Sequence, residues 1–146
     1  TVDDIAFSPK PYQKPRIPIW VGGEGKAAQR RAGRFGDAWF PYFVRIMPKE
    51  LAARFANVRT EAQNAGRNPN DVDLACCLPI ELTPQDVPQE QDYLKGSIKQ
   101  VTDAIRRFLD VGVTHIGLQF MIPHYPERQQ QIERFAKEAL PALKFT

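Results

Sequence analysis

Cysteine is scarce in this sequence, and its two copies, Cys76 and Cys77, are adjacent. Neighbouring cysteines rarely bond each other. No C-x-x-C spacing or paired histidine accompanies them, so neither a disulfide framework nor a familiar metal site is expected. Their plain reading is two buried small hydrophobes in a reducing, cytoplasmic setting. Histidine is equally rare, at His115 and His124. No apolar run approaches the roughly 18 residues that span a membrane, and no signal-peptide pattern is visible. Neither sign of charge dominates: 20 Lys and Arg against 17 Asp and Glu leave +3. Arg30, Arg31 and Arg34 cluster on one predicted helix, where a solvated face accounts for them. No basic stripe interleaved with aromatics marks a nucleic-acid partner. What remains is a globular composition, 42% hydrophobic and 25% charged, over 146 residues, enough for one domain with a real core. The chain opens on Thr1 without an initiator Met, which reads as a fragment or a processed chain.

Proline is plentiful, and it divides the chain. Residues 1–16 hold Pro9, Pro11 and Pro15 among polar residues, an extended lead-in. One domain is expected over 17–146. Ile17 to Val21 is an unbroken apolar run, expected as a parallel strand covered on both faces. A helix follows from about Gly25 to Phe35, with Gly36 suited to a left-handed C-terminal position. Asp37 to Pro41 reads as a second strand. Pro48 opens a helix whose stripe is Leu51, Phe55, Val58, Ala62 and Ala65. Gly66 ends it, and Val72 to Ile80 is the third strand. Residues 83–95 lack apolar period and form a loop. Ser97 caps a helix carrying Val101, Ala104, Ile105, Phe108 and Leu109. Val113 to Phe120 is the fourth strand. Pro126 opens a last helix with Ile132, Phe135, Ala136, Ala139 and Leu140 inward. Regular strand–helix alternation predicts α/β architecture with a parallel sheet. It is either a doubly wound sheet or four units of a (β/α)8 barrel, a complete barrel needing about 250 residues.

The stretch from Ile17 to Ala28 carries the most chemistry. A strand runs through Gly22, Gly23, Glu24, Gly25 and Lys26 into a helix, which aims backbone amides at one spot near the positive end of the helix dipole. Phosphate binds well there. Gly23-x-Gly25-x-x-Ala28 also matches a dinucleotide fingerprint. However, the second strand ends early at Phe40-Pro41, without the acidic residue that would hold a ribose. A tight turn with close helix packing is the bland reading of the same glycines.

Longer runs point further. Phe7-Ser8-Pro9-Lys10-Pro11-Tyr12-Gln13-Lys14-Pro15-Arg16-Ile17-Pro18-Ile19-Trp20-Val21-Gly22-Gly23, followed by Ala27 through Pro41 with Gly36-Asp37-Ala38-Trp39-Phe40-Pro41, resembles the luciferase-like monooxygenase family, most of all its deazaflavin-using branch. Ala65-Gly66-Arg67-Asn68-Pro69, Leu94-Lys95-Gly96-Ser97 before Val101, and Gly112-Val113 into Leu118 agree with it. The resemblance covers nearly the whole chain. It implies a (β/α)8 barrel that binds FMN or coenzyme F420 at its C-terminal face, with this chain similar to strands five to eight. The family's other half supplies much of the ring bed and most catalytic side chains. What carries over is the phosphate end: Gly22, Gly23, Glu24, Gly25 and Lys26. Gly25 stands where a hydroxyl residue often adds a donor, worth about 1 kcal/mol of binding. Glu24 suits the helix dipole but repels phosphate unless it turns outward.

By the barrel's active-face rule, Trp39 and Pro41 are candidate pocket residues, with core packing as the alternative. His124, just past the fourth strand, is a weak candidate proton donor or substrate contact. His115 falls at the opposite end and receives no role. The 83–95 loop is expected on the active face, over a small-molecule substrate. Two other readings stay open: a non-catalytic half-barrel assembly module, and a dinucleotide-binding domain. A half-barrel leaves two strand edges bare, so a second copy of the chain or an N-terminal half is expected to pair with it.

Overall fold

The computed structural model describes residues 8–42, 47–88 and 94–143. The elements are β1 (Trp20–Gly22), α1 (Lys26–Phe35), β2 (Ala38–Phe40), α2 (Pro48–Asn64), β3 (Asp73–Leu82), β4 (Leu94–Gly96), α3 (Ile98–Asp110), β5 (His115–Phe120) and α4 (Tyr125–Arg134). Every strand pair is parallel. β1 pairs β2, β2 pairs the start of β3, and β5 runs beside β3 from Ala75 to Ile80. The four strand–helix units of the sequence are therefore present, laid side by side in chain order. A dinucleotide-binding sheet instead places its first strand centrally and reverses direction. This topology rules out that reading.

β3 is the spine. Leu74, Cys76, Leu78, Ile80 and Leu82 alternate toward the helices and join Trp39, Leu51, Phe55, Val58 and Val101 in one core. The intervening residues Ala75, Cys77 and Pro79 point to the other face. That face is concave. The rings of Trp20 on β1 and His115 on β5 meet edge to face at 5.0 Å, although β2 and β3 lie between their strands. Only a strongly curled sheet, as in a barrel wall, brings them together. Both cysteines are free and buried, and burial, then Cys77, pushes the Cys76 thiol up to about 12, so it stays protonated and inert.

Several sequence expectations need correction. The first strand begins at Trp20 rather than Ile17. Asp37 takes the Ile19 amide at 2.6 Å with its carboxylate, and its own amide donates to the Ile19 carbonyl at 2.8 Å. Nor is the run covered on both faces: Ile17, Ile19 and Trp20 are 53%, 48% and 45% exposed. Gly36 is not left-handed (φ −85°). It is glycine for space, since a Cβ there would sit 2.9 Å from the Ala32 carbonyl and 3.0 Å from Val21. The end of the 83–95 loop is a strand, β4, three residues being too few to show a period. It pairs with the tip of β3 through Glu81 and Lys95; residues 89–93 lie outside the described ones. Ala65 is exposed beyond the end of α2. In the last helix Ile132, Ala136 and Leu140 face outward. Of the five residues expected inward, Phe135 and Ala139 are the two that are buried, within a π-helical turn over Phe135–Ala139. Elsewhere the local signals hold. Pro48 opens α2, and Ser97 with Gln100 forms a full capping box on α3.

Arg16 clasps the end of the lead-in to the start of β2. Arg16 grips the Asp37 carboxylate with two nitrogens, and this bonding, ahead of the Ile19 amide, holds Asp37 below its ordinary 3.8. A depressed carboxylate contributes stability above its unfolded value and loses it as pH falls through the folded one. The clasp is therefore complete at neutral pH, and its contribution is lost as pH falls from 3.8 through the lower folded value. In Asp37→Asn the acid limb of the stability–pH curve flattens. Chemical denaturation between pH 3 and 7 checks this; an unchanged limb would contradict it.

Candidate functional site

Because the strands are parallel, their C-terminal ends share one rim. That rim carries the Gly22–Lys26 turn, Pro41, the residues after β3, and His124. At the turn the chain reverses through Gly23, which has φ +97°, a conformation that side chains resist. Gly25 is the extended N-cap of α1. Its carbonyl accepts from Ala28 and Gln29 at 2.9 and 3.1 Å. The amides of Lys26 and Ala27 fall in the first helical turn, where no intrahelical acceptor exists. Gly22, Gly23, Gly25 and Lys26 are all exposed.

The turn is braced from behind. Trp39 is fully buried, stacks on Phe55 with nearly parallel rings 6.4 Å apart, and donates its indole N–H to the Gly23 carbonyl at 2.8 Å. Gln29, also buried, donates to the Glu24 carbonyl at 2.7 Å and accepts from Asn57 at 3.3 Å. Glu24 does turn aside. Its carboxylate receives Arg54 at 3.1 Å, and Arg54 also reaches Glu50 at 2.6 Å.

The other candidates do not converge on the turn. Trp39 faces the helices and Pro41 is buried, so neither lines an open pocket; the core-packing alternative is what the structure shows. His124 lies on the rim, exposed, as the N-cap of α4 without a side-chain cap bond. His115 sits at the opposite rim against Trp20. Sequence reasoning missed the inner wall. There Phe40 meets Trp20 and Tyr42 edge to face at 5.5 and 6.1 Å. The Tyr42 hydroxyl reaches Gln119 at 3.4 Å. Glu81 and Lys95 pair at 2.8 Å near the rim. Period-two alternation on β2 and β5 was the available signal, too short to read in strands of three to six residues. Among the described residues no cluster able to hold a metal is found, and no helix is long and apolar enough to cross a membrane.

The sequence profile of luciferase-like monooxygenases matches residues 1–90. The chain belongs to the luciferase-like monooxygenase family. Among curated relatives it is similar to the phthiodiolone/phenolphthiodiolone dimycocerosates ketoreductase of Mycobacterium kansasii, 35% identical across 97% of this chain and 40% of the relative. The same enzyme of Mycobacterium tuberculosis (strain ATCC 25618 / H37Rv) is 26% identical over 94% and 38%. The chain thus spans about two-fifths of the length of these relatives. Among solved structures it is similar to an F420-dependent secondary alcohol dehydrogenase in complex with an F420-acetone adduct (TM-score 0.72, 18% identity, 90% of this chain and 50% of that one). The coenzyme F420-dependent tetrahydromethanopterin reductase of Methanopyrus kandleri aligns with TM-score 0.70 at 17% identity, over 88% of this chain and 51% of that one. A riboflavin lyase with modified FMN aligns with TM-score 0.71 at 14% identity, over 96% and 44%. These likenesses establish the fold, four β/α units corresponding to about half of a luciferase-like barrel.

Proposed function

We propose that this chain is the C-terminal part, strands five to eight, of a cytoplasmic flavin- or deazaflavin-dependent oxidoreductase, and that its Gly22–Lys26 turn holds the cofactor phosphate. The observation that carries this reading is the turn itself: glycine-built, exposed, at the C-terminal rim, running into the N-terminus of α1. The residues present fit a phosphate. Glu24 is neutralised sideways by Arg54, Lys26 adds a nearby cation, and a Cβ at Gly25 would meet nothing within 4 Å. When bound, FMN or coenzyme F420 supplies the hydride-carrying ring. The partly exposed rings of Phe40 and Tyr42 on the inner wall offer an apolar surface toward that rim. The ketoreductase relatives and the neighbour holding an F420-acetone adduct support a small-molecule carbonyl or alcohol as substrate. His124 is kept as a substrate-side contact on the rim.

A half-exposed aromatic wall, and outer edges of β1 and β5 that no strand among the described residues pairs, also favour a partner, either a second copy or an N-terminal half that completes the barrel. A purely structural assembly module is the competing reading of that same wall. Native mass spectrometry with and without FMN and F420 separates them. The expected result is a species near twice the 16.6 kDa chain that retains a cofactor. A dimer that binds neither cofactor would leave the module reading. A bare monomer binding neither would sink the proposal that this chain holds the phosphate unaided.

A further inference from the structure

Backbone planarity adds something to the phosphate reading, on which this inference rests. In a trans peptide the carbonyl of one residue and the amide of the next point in opposite directions. The Gly23 carbonyl is drawn toward the core by the Trp39 indole, and the Glu24 carbonyl by Gln29. The Glu24 and Gly25 amides must therefore point the other way, out of the core. Together with the first-turn amides of Lys26 and Ala27 they make four consecutive donors on one open surface. Without these two tethers, either peptide plane is free to flip. A flip presents a carbonyl oxygen to an anion, replacing an attraction with a repulsion. Glycine at 23 and 25 makes such a flip easy, since neither carries a Cβ to block it. The turn needs glycine for its shape, and for that reason needs outside groups to choose its orientation.

We infer that Trp39 and Gln29 are positioning residues for cofactor phosphate: they never touch it, and they set the polarity of the turn that does. The pair is chemically suited to this. Each offers an N–H donor from a buried side chain, Trp39 locked by Phe55 and Gln29 by Asn57, so neither donor is free to turn away.

The test compares ligands that differ only in the phosphate-bearing tail. Wild type, Trp39→Phe and Gln29→Met are titrated with FMN against riboflavin, and with F420 against its phosphate-free deazaflavin chromophore. The readout is isothermal calorimetry, together with ¹H–¹⁵N shifts of the Glu24, Gly25 and Lys26 amides. Trp39→Phe keeps the ring stack and loses the donor; Gln29→Met keeps length and loses the amide. Wild type is expected to prefer the phosphorylated member of one pair. Each variant should lose about tenfold of that preference, the worth of one well-placed hydrogen bond to a charged group, with affinity for the phosphate-free member unchanged. A merely structural role would weaken both members alike, and that result overturns the inference. A preference retained in both variants also overturns it while leaving the phosphate reading intact. A wild type without any preference removes the phosphate reading, and this inference with it.

Discussion

Gly33→Ala lowers the stability of this chain by about 3 kcal/mol, at the upper end of what overpacking costs, and the melting temperature by roughly 10 °C. Gly33 lies where α1 crosses α2. A Cβ added there would sit 2.8 Å from the Ala62 amide nitrogen and from the Glu61 Cβ, and closer still to the Val58 carbonyl. These obstacles are mostly backbone, and a helix backbone cannot step aside as the end of a flexible side chain does. The two helices must therefore separate, which opens the contacts of Ala32, Val58 and Ala62, all fully buried. The crossing is also braced by Arg67, which donates to the Gly33 and Gly36 carbonyls at 2.6 and 2.8 Å and places a cation at the negative end of α1. Separation strains that bond pair too. Gly25→Ala is the matched control, since its Cβ meets open space; it should cost under about 1 kcal/mol as a poorer cap. Calorimetric melts of the two variants decide the matter. A Gly33→Ala protein within about 1 kcal/mol of wild type would show that the α1–α2 crossing is looser than these distances imply.

The second large effect is electrostatic. Arg54→Ala weakens binding of FMN or F420 about tenfold, and Glu24→Gln in the same chain restores it. Glu24 sits inside the proposed phosphate turn, and Arg54 is what keeps its carboxylate occupied. Removing Arg54 leaves an uncompensated negative charge within several ångströms of a phosphate. At the partly screened dielectric of a surface site this is worth about 1–2 kcal/mol. The folded state should hardly notice, because Arg54, Glu24 and Glu50 are 32%, 41% and 52% exposed, and such pairs contribute little to stability. Affinity should therefore change with the melting temperature nearly fixed, and the loss should shrink as salt rises. Titrations of the single and double variants at low and high ionic strength provide the check. If Arg54→Ala binds as wild type does, or if Glu24→Gln fails to rescue it, the phosphate does not lie beside Glu24.

Much of this protein was legible before any fold was known, and the legible part is local. Helix starts are written within four residues: Pro48 at the first turn of α2, Ser97 and Gln100 boxing α3. The glycine turn before α1 is equally local, and so is the alternation of strands and helices that implied a parallel sheet. The motifs around Gly22-Gly23 and Gly36-Asp37 pointed to the family later established. Errors arose where a short pattern had to predict a distant outcome. The apolar run Ile17 to Val21 read as doubly covered, yet its side chains stand half exposed. The stripe of α4 was drawn at a constant 3.6-residue period, which the π turn at Phe135–Ala139 interrupts.

The sequence by itself determined the alternation of strands and helices, where α2 and α3 start, and that glycines carry the chain from β1 into α1. Caps, turns and periodicity act between residues a few positions apart, so their physics is contained in the string. Only the tertiary structure decided what those elements do to one another. It curled the sheet until Trp20 met His115, and it turned Trp39 away from the rim and into the core. It also joined Glu24 to Arg54, 30 residues later. Each of these depends on which face packs and on how far a side chain reaches once packed, and no spacing along the chain encodes that.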